Sequence, residues 1–312
     1  VSPVDSATTL VEGPWRHRFV AANGARFHVA VAGPEDHDAP LVVLLHAVPQ
    51  NWWSWRHQLP ALAAAGYRVA AMDLRGTGAS DKPPQGYDVP TLSADVAGVV
   101  GSLGADRAVV VGCGTGGEVA WGVAAYHPRV LHGLAALSAP HPLDLRRVPL
   151  ADVRPGALRR LALAQLPGVA ERAAVDGDLV AHVLAEWGGI PGWPDPETLA
   201  AYRRAARVPF AAHSQLEQLR WLVRSTVRPD GARYVARLRE SPPVPVLQLH
   251  GTRDGLHSSG RAPLSRDAAA VVGPRYRYEV LPGAGHFLPE QAADRVTALL
   301  LEWLPGVSPV PR

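Results

Sequence analysis

The feature that most restricts this chain is a series of strand-sized apolar runs separated by helix-like stretches. Residues 41–45 (Leu-Val-Val-Leu-Leu) and 108–111 (Ala-Val-Val-Val) are unbroken, and 67–72 and 244–249 are of similar size. They are too short for ordinary helices and lack the period-two alternation of a strand with one wet face. Strands apolar on both sides belong to a parallel sheet, because each crossover lays a helix on one face. The expected fold is therefore α/β: a mostly parallel central sheet with helices on both faces, with helical spacing at 51–65 and 91–103.

Ahead of the first run, residues 16–20 and 26–31 alternate around Asn23-Gly24, a hairpin signal. From 144 to about 240 the alternation stops. That stretch is helix-like, Arg-rich and broken by Pro167, Pro191, Pro194 and Pro196, and the strand pattern resumes at 244–249 and 276–281, before a terminal helix near 291–304. The expected organisation is one core, 1–143 with 241–312, interrupted by a helical cap at 144–240. No internal repeat is visible, and the Pro-rich tail reads as a frayed end.

Composition narrows the function. With 312 residues, 47% hydrophobic and 19% charged, the chain can bury a large core. No apolar run approaches the roughly 20 residues of a membrane span. Residues 1–20 mix charges with Pro14 and Trp15, unlike a secretory leader, so a cytoplasmic location is expected. Cys113 is the sole cysteine, which excludes an intrachain disulfide and a cysteine metal cluster. A net charge of +3 is spread without a basic block, arguing against nucleic-acid and membrane partners. The histidines are scattered and no dinucleotide fingerprint follows the first central strand, so neither metal nor cofactor is expected. The remaining partner is a small-molecule substrate, with self-association into a homodimer left open.

In a parallel sheet of this kind, ligands bind beyond the carboxyl ends of the strands. The run 108–111 leads into Gly112-Cys113-Gly114-Thr115-Gly116-Gly117 with a helix following, the spacing of a nucleophile elbow. Its apex is Gly114, which has no side chain and leaves a place that water or a substrate atom could fill; an alanine there is expected to be tolerated where the pocket has room. A tight glycine turn is the plainer account of the same residues. Cys113 reads better as core packing than as a nucleophile, and Thr115 would shift the turn by one residue. Two later strands end at Asp254 and His286 on glycine-rich turns, where a carboxylate can orient an imidazole as a base. The backbone N–H groups of Val48 and Thr115 are candidates for an oxyanion hole.

Together these segments resemble the α/β-hydrolase superfamily, and within it the epoxide hydrolase branch of actinobacteria. The resemblance rests on 46–50, on Arg75-Gly76-Thr77-Gly78-Ala79-Ser80-Asp81-Lys82-Pro83, on 112–117, on Ser138-Ala139-Pro140-His141-Pro142, on 251–254 and on Gly285-His286. It extends into the cap at 165–168 and 213–221. It implies an α/β-hydrolase fold, His286 as the water-activating base, Asp254 as its orienting acid and Val48 and Thr115 as oxyanion donors. The attacking aspartate of that branch falls on Gly114. The cap tyrosine that donates to the epoxide oxygen is also missing, since the matching segment reads Leu216-Glu217-Gln218-Leu219-Arg220-Trp221; Tyr202 and Tyr234 are the substitutes to inspect. Trp52, Trp53, His141, Trp187 and Trp221 are the candidates for binding a bulky, partly aromatic substrate, with Trp193 near the same rim.

Three functions follow. The first is an enzyme without a covalent intermediate, using His286 and Asp254 on a polycyclic natural product for epoxide opening, cyclisation or carbon–carbon bond formation. The second is a non-catalytic receptor that keeps the pocket. The third is a nucleophile-deleted variant of an ordinary epoxide hydrolase.

Overall fold

The computed structural model of the chain describes residues 2–147, 154–257 and 264–309, so the expected cap and the C-terminal tail lie partly outside the described residues. Its centre is an eight-stranded sheet in the order β1-β2-β4-β3-β5-β6-β7-β8. The strands are β1 Arg16–Ala22, β2 Ala25–Ala32, β3 Leu41–Leu45, β4 Arg68–Met72, β5 Ala108–Cys113, β6 Leu131–Leu137, β7 Val246–Gly251 and β8 Tyr276–Leu281. β1 and β2 form the expected hairpin, with Asn23 and Gly24 both at positive φ in the two-residue turn. β2 runs antiparallel to β4, and every pair from β4 through β8 is parallel.

The apolar runs dictate this arrangement. All residues of β3, β4 and β5 are buried. Alternate residues feed two cores: Val42 and Leu44 pack on one face with Leu59 and Leu299, and Val43 and Leu45 on the other with Val96 and Val119. The helices that supply those covers are α1 Gln58–Ala64 and α13 Ala293–Trp303 on the first face, and α2 Val89–Ser102 and α3 Thr115–Tyr126 on the second.

The stretch 51–65 differs from the single helix expected of it. Asn51 caps a short 3₁₀ turn, Trp52–Trp55, and α1 begins only at Gln58. Pro60 explains the break, because proline has no N–H to donate and is tolerated only in the first turn of a helix. Between β6 and β7 the described residues carry α4 Pro142–Leu145, α5 Pro155–Ala164, α6 Val169–Val175, α7 Leu179–Gly188, α8 Pro196–Ala206, α9 Ala211–Arg224 and α10 Pro229–Arg239. After β7 come α11 Arg266–Val272 and, beyond β8, α12 Leu288–Gln291. No helix among the described residues is long and apolar enough to cross a membrane.

A polar clamp holds the turn after β8 against the Trp-rich turn. Glu290 in α12 is ion-paired with Arg56 and accepts a hydrogen bond from Gln50, while Gln58 Nε2 donates to the carbonyl of Pro289 at 3.1 Å. The Glu290 side chain is 2% exposed, so its loss strands a guanidinium in a largely dry place. Replacing Glu290 by Ala should therefore cost about 3 kcal/mol, the scale for breaking a buried pair, in a chemical denaturation series.

Candidate active site

β5 ends where α3 begins, and the junction is built from glycine for steric reasons. A Cβ on Gly112 would lie 2.2 Å from the carbonyl oxygen of Gly116, and one on Gly116 would lie 2.4 Å from that of Leu45. Strand and helix can meet this closely only without side chains at both positions. Gly114 stands at the apex with φ +51° and ψ −118°, a conformation that strains any residue with a Cβ.

His286 arrives from the turn after β8 and lies over this apex. The imidazole crowds one side of the apex: a Cβ at 114 would come within 2.8 Å of His286 Nε2 and 3.0 Å of Ala47 Cβ. On its other side, His286 Nδ1 bonds Asp254 Oδ2 at 3.0 Å. Asp254, after β7, is fixed by N–H donors from Leu256 at 2.8 Å and His257 at 2.9 Å, both to Oδ1, and His250 Nε2 lies 3.2 Å from Oδ2. Burial alone would raise the Asp254 carboxyl, but His286 and its neighbours His250 and His257 hold it well below the usual carboxylate range. An anionic Asp254 accepting from Nδ1–H leaves Nε2 as the lone-pair nitrogen, directed at the apex.

The other elbow residues fall as follows. The Cys113 thiol is buried against the His286 carbonyl at 3.5 Å, and burial pushes it far above the ordinary thiol range, so it is packing. The Val48 N–H, expected to be an oxyanion donor, already donates to Thr115 Oγ1 at 3.0 Å. The N–H of Thr115 heads α3 and has no carbonyl within the helix to receive it.

These groups border a cavity of about 520 Å³ lined by Val48, Gly114, Thr115, Trp187, Leu219, Trp221 and His286, among others. That volume suits a drug-sized ligand. Trp187 stands edge-on to His286, ring centres 5.8 Å apart, and Trp221 is tied to Asp230 at 3.1 Å through its indole N–H. Three expectations are corrected. Trp52 is wholly buried behind the site, its indole N–H donating to the carbonyl of Thr9 at 2.9 Å. Trp53 lies outside the lining, 3.8 Å beneath the Arg56 guanidinium. His141 is buried edge-on to Trp121, and its Nδ1 accepts from the Leu143 N–H at 3.3 Å, so it caps α4 instead of facing ligand. Trp193 stacks on Phe287, also off the lining.

Leu219 borders the cavity from the cap segment where the resemblance implied a tyrosine. Of the two substitutes, Tyr202 is wholly buried and accepts from Gln50 at 3.3 Å, off the lining, whereas Tyr234 borders the cavity. Sequence reading missed three further lining residues: His257, Arg146 and Glu118. His257 lies 5.9 Å from His286 between ring centres, and burial pushes its imidazole down to about 3. Glu118, on α3 one turn beyond the apex, is 5% exposed, and burial pushes its carboxyl up to about 8, with Arg146 opposing. Only the spacing of 118 from 114, one helical turn, signalled that this carboxyl could share the pocket.

A doubly covered α/β sheet, a strand–elbow–helix junction and a histidine braced by a carboxylate define an α/β hydrolase. The sequence matches the alpha/beta hydrolase fold family over residues 40–293, and the chain belongs to that family. Within it the chain is epoxide hydrolase-like: it is 32% identical to epoxide hydrolase A of Mycobacterium tuberculosis over 93% of this chain and 97% of that one. It is equally, at 32%, identical to the AB hydrolase superfamily protein YfhM of Bacillus subtilis over 92% and 97% of the two chains. The crystal structure of epoxide hydrolase A from Mycobacterium thermoresistibile superposes with a TM-score of 0.74 at 31% identity, covering 94% of this chain and 99% of that one.

Two measurements test this geometry. Gly114→Ala, expected from sequence to be tolerated, should instead lose about 1–3 kcal/mol of stability in denaturant titration, the scale of local backbone strain, and should displace the imidazole. Glu118→Gln should flatten the pH dependence of stability. A carboxyl raised from 4.5 to about 8 on folding holds its proton longer when folded, so the wild type loses stability relative to the variant as pH climbs through that window. The slope is at most about 1.4 kcal/mol per pH unit.

Proposed function

We propose that this chain is an enzyme performing acid–base chemistry on a bulky, partly aromatic small molecule, a polycyclic natural product, without bonding it to the protein. One observation carries the reading: the imidazole lies over a residue with no side chain, Nε2 being 2.8 Å from where the Cβ of residue 114 would sit. A base held there by Asp254 faces the ligand directly instead of a protein nucleophile.

The names of the relatives favour epoxide opening. A hydroxyl, from water or from the substrate itself, loses its proton to Nε2 as its oxygen bonds to carbon. The epoxide C–O bond breaks, the oxygen leaves as an alkoxide near the Thr115 N–H, and the imidazolium returns the proton to it. The base ends the cycle neutral, and ring closure or carbon–carbon bond formation would begin with the same proton removal. The helical segment 144–240 is assigned as a lid, with Leu219 and Trp221 of α9 giving the pocket its apolar wall.

A receptor without turnover has one specific observation in its favour, the engagement of the Val48 N–H by Thr115 Oγ1, which occupies a donor that an oxyanion would use. Turnover of a panel of polycyclic arene epoxides separates the readings. For any compound converted by the wild type, His286→Ala should lower turnover by about 100-fold or more, and intact-protein mass spectra should show no adduct. Unchanged turnover in that variant, or a substrate-derived adduct, would sink the proposal, and a panel returned unaltered would favour the receptor. Gly114→Asp should gain no hydrolysis of styrene oxide; a gain would identify a nucleophile-deleted hydrolase.

A further inference from the structure

The cavity is bordered by a second polar group, one helical turn along α3 from the apex, that the proposed chemistry does not use. Its centre is Glu118 on α3, about 6 Å along the helix axis from Gly114 at the usual rise per residue. Glu118 Oε1 is buried without a hydrogen-bond partner among the described residues, and so is the hydroxyl of Tyr234, which is 1% exposed. Both residues line the cavity. Tyr234 is locked in place from three sides: it stacks on Tyr126 with ring centres 6.2 Å apart, meets Trp221 at 5.6 Å, and has the Arg146 guanidinium 5.9 Å from its ring. Buried polar groups are nearly always paired, so these unpaired oxygens, with Asp144 Oδ1 in the same lining, mark a place where a ligand supplies the partner.

The geometry points to Glu118 and Tyr234 as a subsite that takes an uncharged carbonyl oxygen of the ligand, a ketone, quinone, lactone or amide, one helical turn along α3 from the apex. This rests on the reading of the cavity as the substrate's.

The chemistry of the wall selects that class. Both groups keep their protons at neutral pH: burial raises the Glu118 carboxyl to about 8, and burial with the nearby Glu118 charge raises the Tyr234 phenol further from its ordinary value. A carboxylic acid and a phenol each present one O–H donor. The third lining group here, Arg146, is already engaged, its Nη1 with the carbonyl of Ser225 at 3.1 Å and its Nη2 with the Ser225 hydroxyl at 2.8 Å. It opposes the rise of the Glu118 carboxyl without abolishing it. Asp144, also on the wall, accepts from the Ser265 N–H at 3.2 Å through Oδ2, while its Oδ1 is buried without a partner among the described residues. A wall with two neutral O–H donors and an occupied cation is matched to an acceptor without charge. The Asp144 carboxylate on the same wall disfavours an anionic ligand beside these donors. With one pole at the imidazole and the other a helical turn away, the ligand must be at least as long as two fused rings, with its carbonyl distal to the reacting carbon.

Binding of naphthalene, 2-acetylnaphthalene and 2-naphthoate, read by tryptophan fluorescence at pH 7 on the full chain, tests the assignment. The ketone should bind about tenfold more tightly than the hydrocarbon, the scale of one buried hydrogen bond, and the carboxylate should bind worst. Glu118→Leu and Tyr234→Phe should each remove most of that preference. Glu118→Gln, which keeps shape and a donor, should retain it and so controls for a folding defect. Equal affinity for ketone and hydrocarbon, best binding of the carboxylate, or a preference intact in Glu118→Leu would overturn the assignment. In His286→Ala the ketone preference should persist although turnover is lost. Failure of the subsite therefore shows in the wild-type affinities, and failure of the proposed function shows in the turnover of His286→Ala.

Discussion

The Asp254 carboxylate is the charge around which the rest of the site is organised. It is 1% exposed, and a lone anion there would be prohibitively costly, so the fold surrounds it with donors. Two come from the backbone of its own turn, at Leu256 and His257, one from His286 on the next strand's turn, and His250 closes the far side. Each of those partners fixes a loop: the turn after β7 is folded by accepting into Oδ1, and the turn after β8 is drawn over the apex by the imidazole. Glu290 then pins that second turn to Arg56, so the base is held both by its own hydrogen bond and by the clamp a few residues on.

Much of this was legible in the sequence because the relevant physics is local. The all-buried run Leu41–Leu45 could only be a central strand, Asn23-Gly24 could only be a tight turn between alternating segments, and the glycines at 112 and 116 announce a strand–helix contact too close for side chains. His286 and Asp254 stood out because both end strands on glycine-rich turns. Composition could not say which way an indole points. Trp52 and Trp53 share one short turn, yet one is entombed behind the sheet and the other lies under a guanidinium, because the 3₁₀ turn before Pro60 rotates them away from the pocket. His141 fails for a related reason: a residue just before a proline-started helix is well placed to cap it.

Glu118 shows a different blind spot. A glutamate in the first turn of a helix is ordinarily read as a favourable partner for the helix dipole, facing water. Here α10 packs against α3, and burial pushes the carboxyl up to about 8 with Arg146 opposing. The burial comes from residues as far as Tyr234, 116 positions further along the chain, while Arg146 opposes the rise, and no local pattern encodes it. The same cavity is bordered by the His286 imidazole, by Glu118 and Tyr234, and by tryptophan and leucine side chains.

The close seating of the imidazole over Gly114 also bears on how such a site can change. A side chain introduced at the apex would press on the imidazole, and shifting the turn after β8 by itself would loosen its bond to Asp254. The apex and the turn after β8 are thus geometrically coupled, so that either can be reshaped only in step with the other.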